Sequence, residues 1–366
     1  QIRPYELNEG DTDQALADVV EILSTFLRER EHFEILERSP DWLSSRLSKK
    51  PKFKDIMNSL GKFREHLYGE PFQKTLAQCS ERLNQVKVDR TRPKPIVKIV
   101  GEFFSHISEG DANYRMFSFL EKEGAEVGVD TVTNLVLYWL HKAKLGQIRR
   151  IGLEPPNPNP RFWQFRKHLG NQLSFLKKPL LFSVADRLYS RQYHRVGKKM
   201  GGISHGLVKQ RIFSGLAAPY FDPLTSGGEG HLEVAKSIYY TRNRLCHMVL
   251  SLKPFGCMPS TQSDGVMAAV TSQHDDLLFV SVETSGDGEI NALSRVQMAL
   301  TDARRRAKEE FQKALDLTGK RLDDIRDFVA TRPELQQPSY SFPRHREMAG
   351  VAANFVLHVS NLMDQR

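Results

Sequence analysis

Three cysteines, Cys79, Cys246 and Cys257, have the widest range of chemistry in this chain, and their spacing excludes several uses at once. They are too few for a four-cysteine site and too far apart for a C-x-x-C pair, and no H-E-x-x-H run pairs its histidines with an acid. Without the basic, apolar and small-residue order of a signal peptide at the start, a disulfide framework is not expected either. Cys257 stands apart, because it lies in Lys253-Pro254-Phe255-Gly256-Cys257-Met258-Pro259-Ser260, directly after an apolar run. Gly256 and Pro259 suit a tight loop that fixes a sulfur and aims backbone N–H groups at whatever it ligates. The same setting suits an inert thiol held in a turn. Cys246, at the start of the apolar run, and Cys79, in a helical segment, read as buried structural thiols.

Charge is the next signal. The chain carries +9 overall, yet the stretch from Lys142 to Arg211 holds sixteen Lys or Arg against two acids, Glu154 and Asp186. Such a segment is a docking surface for an acidic partner or for phosphates, or a solvated helix face. Its interleaved Phe162, Trp163, Phe165, Tyr189 and Tyr193 suggest a nucleic-acid surface, a reading not favoured because most charge runs are solvated faces. Gly227-Gly228-Glu229-Gly230, ahead of a helix, either presents free N–H groups to an anion or is a loop whose Glu229 complements the helix dipole. Glu102, beside Gly101 at a strand end, is either an acid that orients a ligand or a hydrogen-bonded structural carboxylate.

These groups need a framework, and the hydropathy pattern supplies one. Leu16, Val19, Val20, Leu23, Phe26 and Leu27 recur at three- and four-residue steps, which predicts a helix over 12–33 capped by Asp11 or Thr12. A second helical stretch over 53–86 breaks near Gly69 and Pro71. Residues 96–100 form a short apolar run ending in Gly101-Glu102, as a buried parallel strand does. A helix is predicted over 113–122, a strand over 125–129, a helix from Gly227 to about Asn243, strands over 248–252 and 277–282, and a long helix over 290–315. Four prolines between Pro155 and Pro160 mark a boundary, and 155–215 is expected to be a basic helical insertion.

The expected fold class is α/β: a doubly wound parallel sheet with an N-terminal helical layer and the helical basic insertion. The expected organisation is a helical region over 1–92, an α/β domain over 93–318 and a C-terminal extension over 319–366 that packs back. Ligands of such sheets bind beyond the carboxyl ends of the strands, which points to 101–106, 253–260 and 283–291. No run of about 18 apolar residues occurs, so a cytoplasmic protein without membrane contact is expected. A chain that opens on Gln1 rather than Met is expected to be part of a longer polypeptide.

Several blocks together resemble one family. The Pro254-Phe255-Gly256-Cys257-Met258-Pro259 segment looks like the P-F-x-C-M-P signature of the CoA-substrate-specific enzyme activase and 2-hydroxyacyl-CoA dehydratase family, whose members are similar to benzoyl-CoA reductase components. Arg3-Pro4-Tyr5-Glu6 with Gly10-Asp11-Thr12-Asp13 resembles its R-P-Y-E and G-D-T-D element. Residues 95–102, Asn113 and 120–127 resemble its P-x-V-x-I-V-G-E, N and L-E-x-x-G-A-E-V blocks, and Gly350-Val351-Ala352-Ala353-Asn354 resembles a G-T-A-A-N ending. The matches span Arg3 to Asn354 in order, and the basic insertion is the part least like the family.

The resemblance implies the C-terminal part of such a protein, with iron–sulfur electron transfer linked to CoA-thioester chemistry. It implies Cys257 as a ligand of a 4Fe-4S-type cluster in a loop shaped by Gly256; Gly228 and Glu229, in the loop ahead of the helix, are the expected further cofactor-binding residues, for an anion such as a CoA phosphate. The implied partners are an activase ATPase domain or subunit and an acyl-CoA. No G-x-x-x-x-G-K-[ST] loop is present, so ATP hydrolysis falls to another domain or chain. The family's other ligand cysteines are missing too, so the remaining cluster ligands are expected from outside this chain. The alternative is a non-catalytic scaffold of the same fold that has lost cluster binding.

Overall fold

The computed structural model describes residues 2–30, 59, 61–62, 64, 68–110, 112–150, 165–202, 206–225, 228–286 and 288–365, with backbone alone at 150 and 165–176. Among these residues α1 spans Asp11–Glu29 and α2 Glu70–Asn84; β1, Ile96–Gly101, is followed by α3, Phe103–Ile107, and α4, Met116–Lys122. After β2, Glu126–Gly128, four helices lead to β3, Met248–Pro254: α5 (Val132–Arg150), α6 (Phe165–Lys199), α7 (Gln210–Ala217) and α8 (Gly230–Arg242). The order closes with α9 (Met258–Gln273), β4 (Phe279–Thr284), α10 (Glu289–Thr318), α11 (Leu322–Ala330) and α12 (Val351–Asp364).

Alternation along β1 and β3 decides the architecture. Val97 and Ile99, with Met248, Leu250 and Leu252, face one side of the sheet and meet Met116 and Leu120 of α4 and Val296 and Leu300 of α10. Val100 and Val249 face the other side, against Leu232, Ala235 and Ile238 of α8 and Met267 and Val270 of α9. Strand side chains point alternately to opposite faces, so runs that are apolar at nearly every position need helices on both. The result is an α/β fold with a four-stranded, all-parallel, doubly wound sheet in the order β2-β1-β3-β4. Gly101 pairs with Leu252 and Leu252 with Val282, so β1 ends in the row of Leu252 and Val282, while β3 and β4 run on together to Pro254 and Thr284.

The motif blocks prove to be clasps on this sheet. Tyr5 is buried and donates to Glu126 Oε2 at 2.9 Å, while Arg3 Nη1 donates to Glu121 Oε2 at 2.6 Å, tying the N-terminal segment to β2 and α4. Glu6 accepts from the backbone N–H of Gly10 (3.0 Å) and of Thr12 (2.8 Å). It thereby does the work expected of Asp11 or Thr12, and the N-cap is Gly10 in the left-handed region. Beside His247, just ahead of β3, Glu310 of α10 accepts from the N–H groups of Ala349 (2.9 Å) and Gly350 (2.6 Å) at the start of α12. Burial pushes the Glu310 carboxyl up, but His247 and these two donors hold it below the usual range. Residues α11 and α12 contribute, Ile325, Phe355 and Val356 among them, close over Phe311 and Ala314 of α10.

Several predicted boundaries shift. The first helix ends at Glu29, Asn113 lies in the loop before α4 rather than in the helix, and Lys253 and Pro254 belong to β3. Neither α5 nor α9 has a counterpart among the predicted elements. Much of the predicted 53–69 helix, the prolines at 155–160, Phe162 and Trp163 lie outside the described residues. The described part of the basic insertion is helical and joins no strand, α6 running through an internal Pro179.

Gly101 carries φ +106°, and a Cβ there would collide with the Leu252 carbonyl oxygen. Gly256 has φ +73° but open space around it. Gly101→Ala is therefore expected to cost at least about 2 kcal/mol in urea unfolding, and Gly256→Ala about 1 kcal/mol. Equal losses would show that β3 yields to the added methyl.

Candidate functional site

In an open parallel sheet the crevice for a ligand opens where the strand order reverses, because the crossovers on either side leave to opposite faces. Here β1 connects outward to β2, while β3 and β4 extend the other way, so the reversal lies between β1 and β3. The residues that follow these two strands are Glu102 and the Phe255-Gly256-Cys257 turn. Gly256, in the left-handed region, lets the turn double back; Cys257 N–H donates to Pro254 O at 3.3 Å. Cys257 is the N-cap of α9 and Pro259 sits in its first turn, so the turn is a helix start rather than an isolated loop. The Cys257 Sγ lies 3.9 Å from Glu102 Oε2, across the reversal point. The thiol is half-buried, flanked by the exposed Phe255 and Met258.

A second loop meets the first. Gly228 has φ +51°, and a Cβ there would come within 2.6 Å of the Pro259 ring; one on Gly230 would come within 2.8 Å of Pro259 O. The absence of side chains at both positions lets the start of α8 lie on the start of α9. Glu229, between them, is the N-cap residue of α8. Burial raises its carboxyl above the usual range and the Glu102 charge raises it further, against the pull of Lys236, the Phe103 N–H and Lys142. Glu229, Gly228, Gly256 and Cys257 thus belong to two interlocked loops; Gly227 lies outside the described residues.

Beneath these loops lies a charged core that the sequence reading missed. Lys253 is fully buried, and its Nζ donates to Asp264 Oδ1 (2.5 Å) and Glu233 Oε1 (3.2 Å). Ser251 donates to Glu233 Oε1 at 2.5 Å, Ser263 donates to Glu233 Oε2, and Ser281 donates to Asp264 Oδ1 at 3.2 Å. The ends of β3 and β4 therefore share one polar network with α8 and α9. A second buried pair, Lys236 Nζ to Asp130 Oδ2 at 2.5 Å, joins α8 to the segment after β2. Burial works to raise Asp130, but Lys236 and Asn134 outweigh it and hold the carboxyl low. The signal for both was a Lys or Glu inside an otherwise apolar strand or helix face.

The other two cysteines are elsewhere. Cys246 precedes β3, at its amino end, and burial pushes its thiol up to about 12. At about 3.3 Å per residue, the length of β3 puts the two ends roughly 20 Å apart. Cys79 is buried in α2, its thiol raised by burial. No group of three or more His, Cys, Asp or Glu that could hold a metal ion occurs among the described residues. The described residues therefore do not fit a complete iron–sulfur cluster; they offer one thiol at the crevice.

No protein-family model, no curated protein and no solved structure matches this chain.

Removing Lys253 leaves Glu233 buried without its cation, so Lys253→Met is expected to cost about 3–5 kcal/mol in urea unfolding. Lys253→Met with Glu233→Leu is expected to recover part of that loss; a single-variant loss under about 1 kcal/mol would contradict the network's role. Two histidines give a pH signature. Burial, then the charge of Lys236, lowers His106 to about 4; burial, then Lys142 and His141, lowers His231 to about 4. Both are neutral in the fold and charge in the unfolded chain below about pH 6.5, where the unfolded state binds more protons. Stability should hold above about pH 6.5 and fall toward pH 4, by on the order of 3 kcal/mol per histidine. NMR titration should find neither ring protonating above about pH 5.

Proposed function

We propose that this chain is the C-terminal module of an activase and 2-hydroxyacyl-CoA dehydratase-like system, and that it contributes a single thiolate, Cys257, to an iron–sulfur cluster completed by ligands from outside it. One observation carries the reading: Cys257 Sγ stands 3.9 Å from Glu102 Oε2 at the reversal point between β1 and β3. The signature residues of the resemblance thus coincide with the place where a sheet of this kind binds ligands. The chain's own residues hold the sulfur at a helix N-terminus, and Glu102 is the group nearest to receive its proton when a ligand bond forms. Glu229 and Gly228, on the facing loop, are the proposed cofactor-side contacts.

Within this reading the partner is an activase ATPase domain or subunit, the substrate class is acyl-CoA, and the compartment is the reducing cytoplasm. No helix among the described residues is long and apolar enough to cross a membrane. A second reading, a scaffold of the same fold without a cluster, is favoured by the burial of Cys79 and Cys246.

Anaerobic reconstitution with iron and sulfide separates them. The chain alone is expected to hold no stoichiometric cluster, while the complete assembly with the ATPase partner shows a low-potential electron paramagnetic resonance signal. Cys257→Ser should abolish that signal at an unchanged melting temperature. An unchanged signal in the variant would refute the assignment of Cys257, and a complete assembly without iron would establish the scaffold.

A further inference from the structure

A cavity of about 630 Å³ lies among α5, α6 and α7 and shares no residue with the crevice at the strand ends. Four permanent cations line it: Lys144 from α5, Arg187 from α6, and Lys209 and Arg211 at the start of α7. Asp186 is the one carboxylate on its wall. None of the four cations has a hydrogen-bond or ion-pair partner among the described residues. Elsewhere the chain neutralises such groups, as where Arg304, Arg305 and Arg306 of α10 each hold a carboxylate. Four like charges drawn to one hollow repel each other, and Asp186 offsets only part of that.

Two further features point to what would offset the rest. The first turn of α7 contains no acid and no side-chain cap, and its Lys209 and Arg211 oppose the helix dipole. A bound anion at that terminus would reverse the sign. Between them Gln210, only 6% exposed, donates through Nε2 to Asn134 O at 3.4 Å, while its Oε1 is buried without a partner. An unmet buried acceptor costs about 1–3 kcal/mol, and a ligand hydroxyl would satisfy it. Leu137, Leu140 and Phe182 give the wall an apolar part, and a hollow of this volume fits a small molecule rather than a passing strand.

We propose that this cavity binds a small phosphate ester bearing hydroxyl groups, a sugar phosphate by class. Its phosphate is held by Lys144, Arg187, Lys209 and Arg211, and a hydroxyl donates to Gln210 Oε1.

Calorimetry with ribose 5-phosphate tests this, with ribose and inorganic phosphate as comparators. Saturable binding with Kd below about 1 mM is expected for the ester, and none for ribose. Lys209→Gln with Arg211→Gln should weaken it by about tenfold or more, at the parent's melting temperature. Lys198→Gln with Lys199→Gln, the same charge loss at the end of α6, should change it by less than about twofold. Gln210→Leu should weaken the ester about fivefold and leave competition by inorganic phosphate unchanged. No saturation at about 10 mM, or equal losses in the two double variants, would overturn the proposal.

Discussion

Backbone pairing between β1 and β3 continues one residue past the end of β1, because Gly101 has no Cβ to hold Leu252 away. Glu102 N–H donates to Leu252 O at 2.9 Å as a result. That contact fixes where the chain may turn. It brings Glu102 out beside β3 rather than above it, and β3 then runs on through Lys253 and Pro254 before the turn to Cys257. Every later feature of the crevice inherits this offset: the thiol, the two facing carboxylates and the loop that begins α8.

The crevice floor is held by charge rather than by apolar contact. A fully buried ammonium is costly to desolvate, and it persists at Lys253 because two carboxylates and three serine hydroxyls complete its surroundings. The geometry is directional where a hydrophobic core is not, so the ends of β3 and β4 and the helices α8 and α9 share one set of permitted positions. The Lys236–Asp130 pair does the same between α8 and the segment after β2.

Much of the framework was legible in the sequence, and the reason is periodicity. The strands at 96–100 and 248–252 announced themselves as short apolar runs, and the long helix over 290–315 as a helical repeat whose Val296, Leu300, Ala303, Ala307 and Phe311 are buried, although Ile290 at its start is exposed. What stayed hidden was set by partners distant in sequence. Glu6 caps α1 from outside it, so neither Asp11 nor Thr12 serves as the N-cap. α9 was obscured because its first turn is Met258-Pro259, read as a turn, and proline suits both a turn and a helix start. Cys257, Gly256, Glu229 and Gly228 were singled out from the sequence. Lys253, Glu233 and Asp264 were not: a lone charge in an apolar strand or helix face marks a candidate, but which carboxylate answers which ammonium is visible only once distant elements are placed.

Gly228 and Pro259 make each other's identity conditional. The Pro259 ring occupies the space a side chain at 228 would need, and the left-handed backbone at 228 already disfavours one. Loss of the ring at 259 would relieve the collision but not the strain, so a change at 259 alone opens a gap, while a change at 228 alone carries both penalties. The two positions, 31 residues apart in the chain, can therefore drift in only one order: 259 first, 228 afterwards.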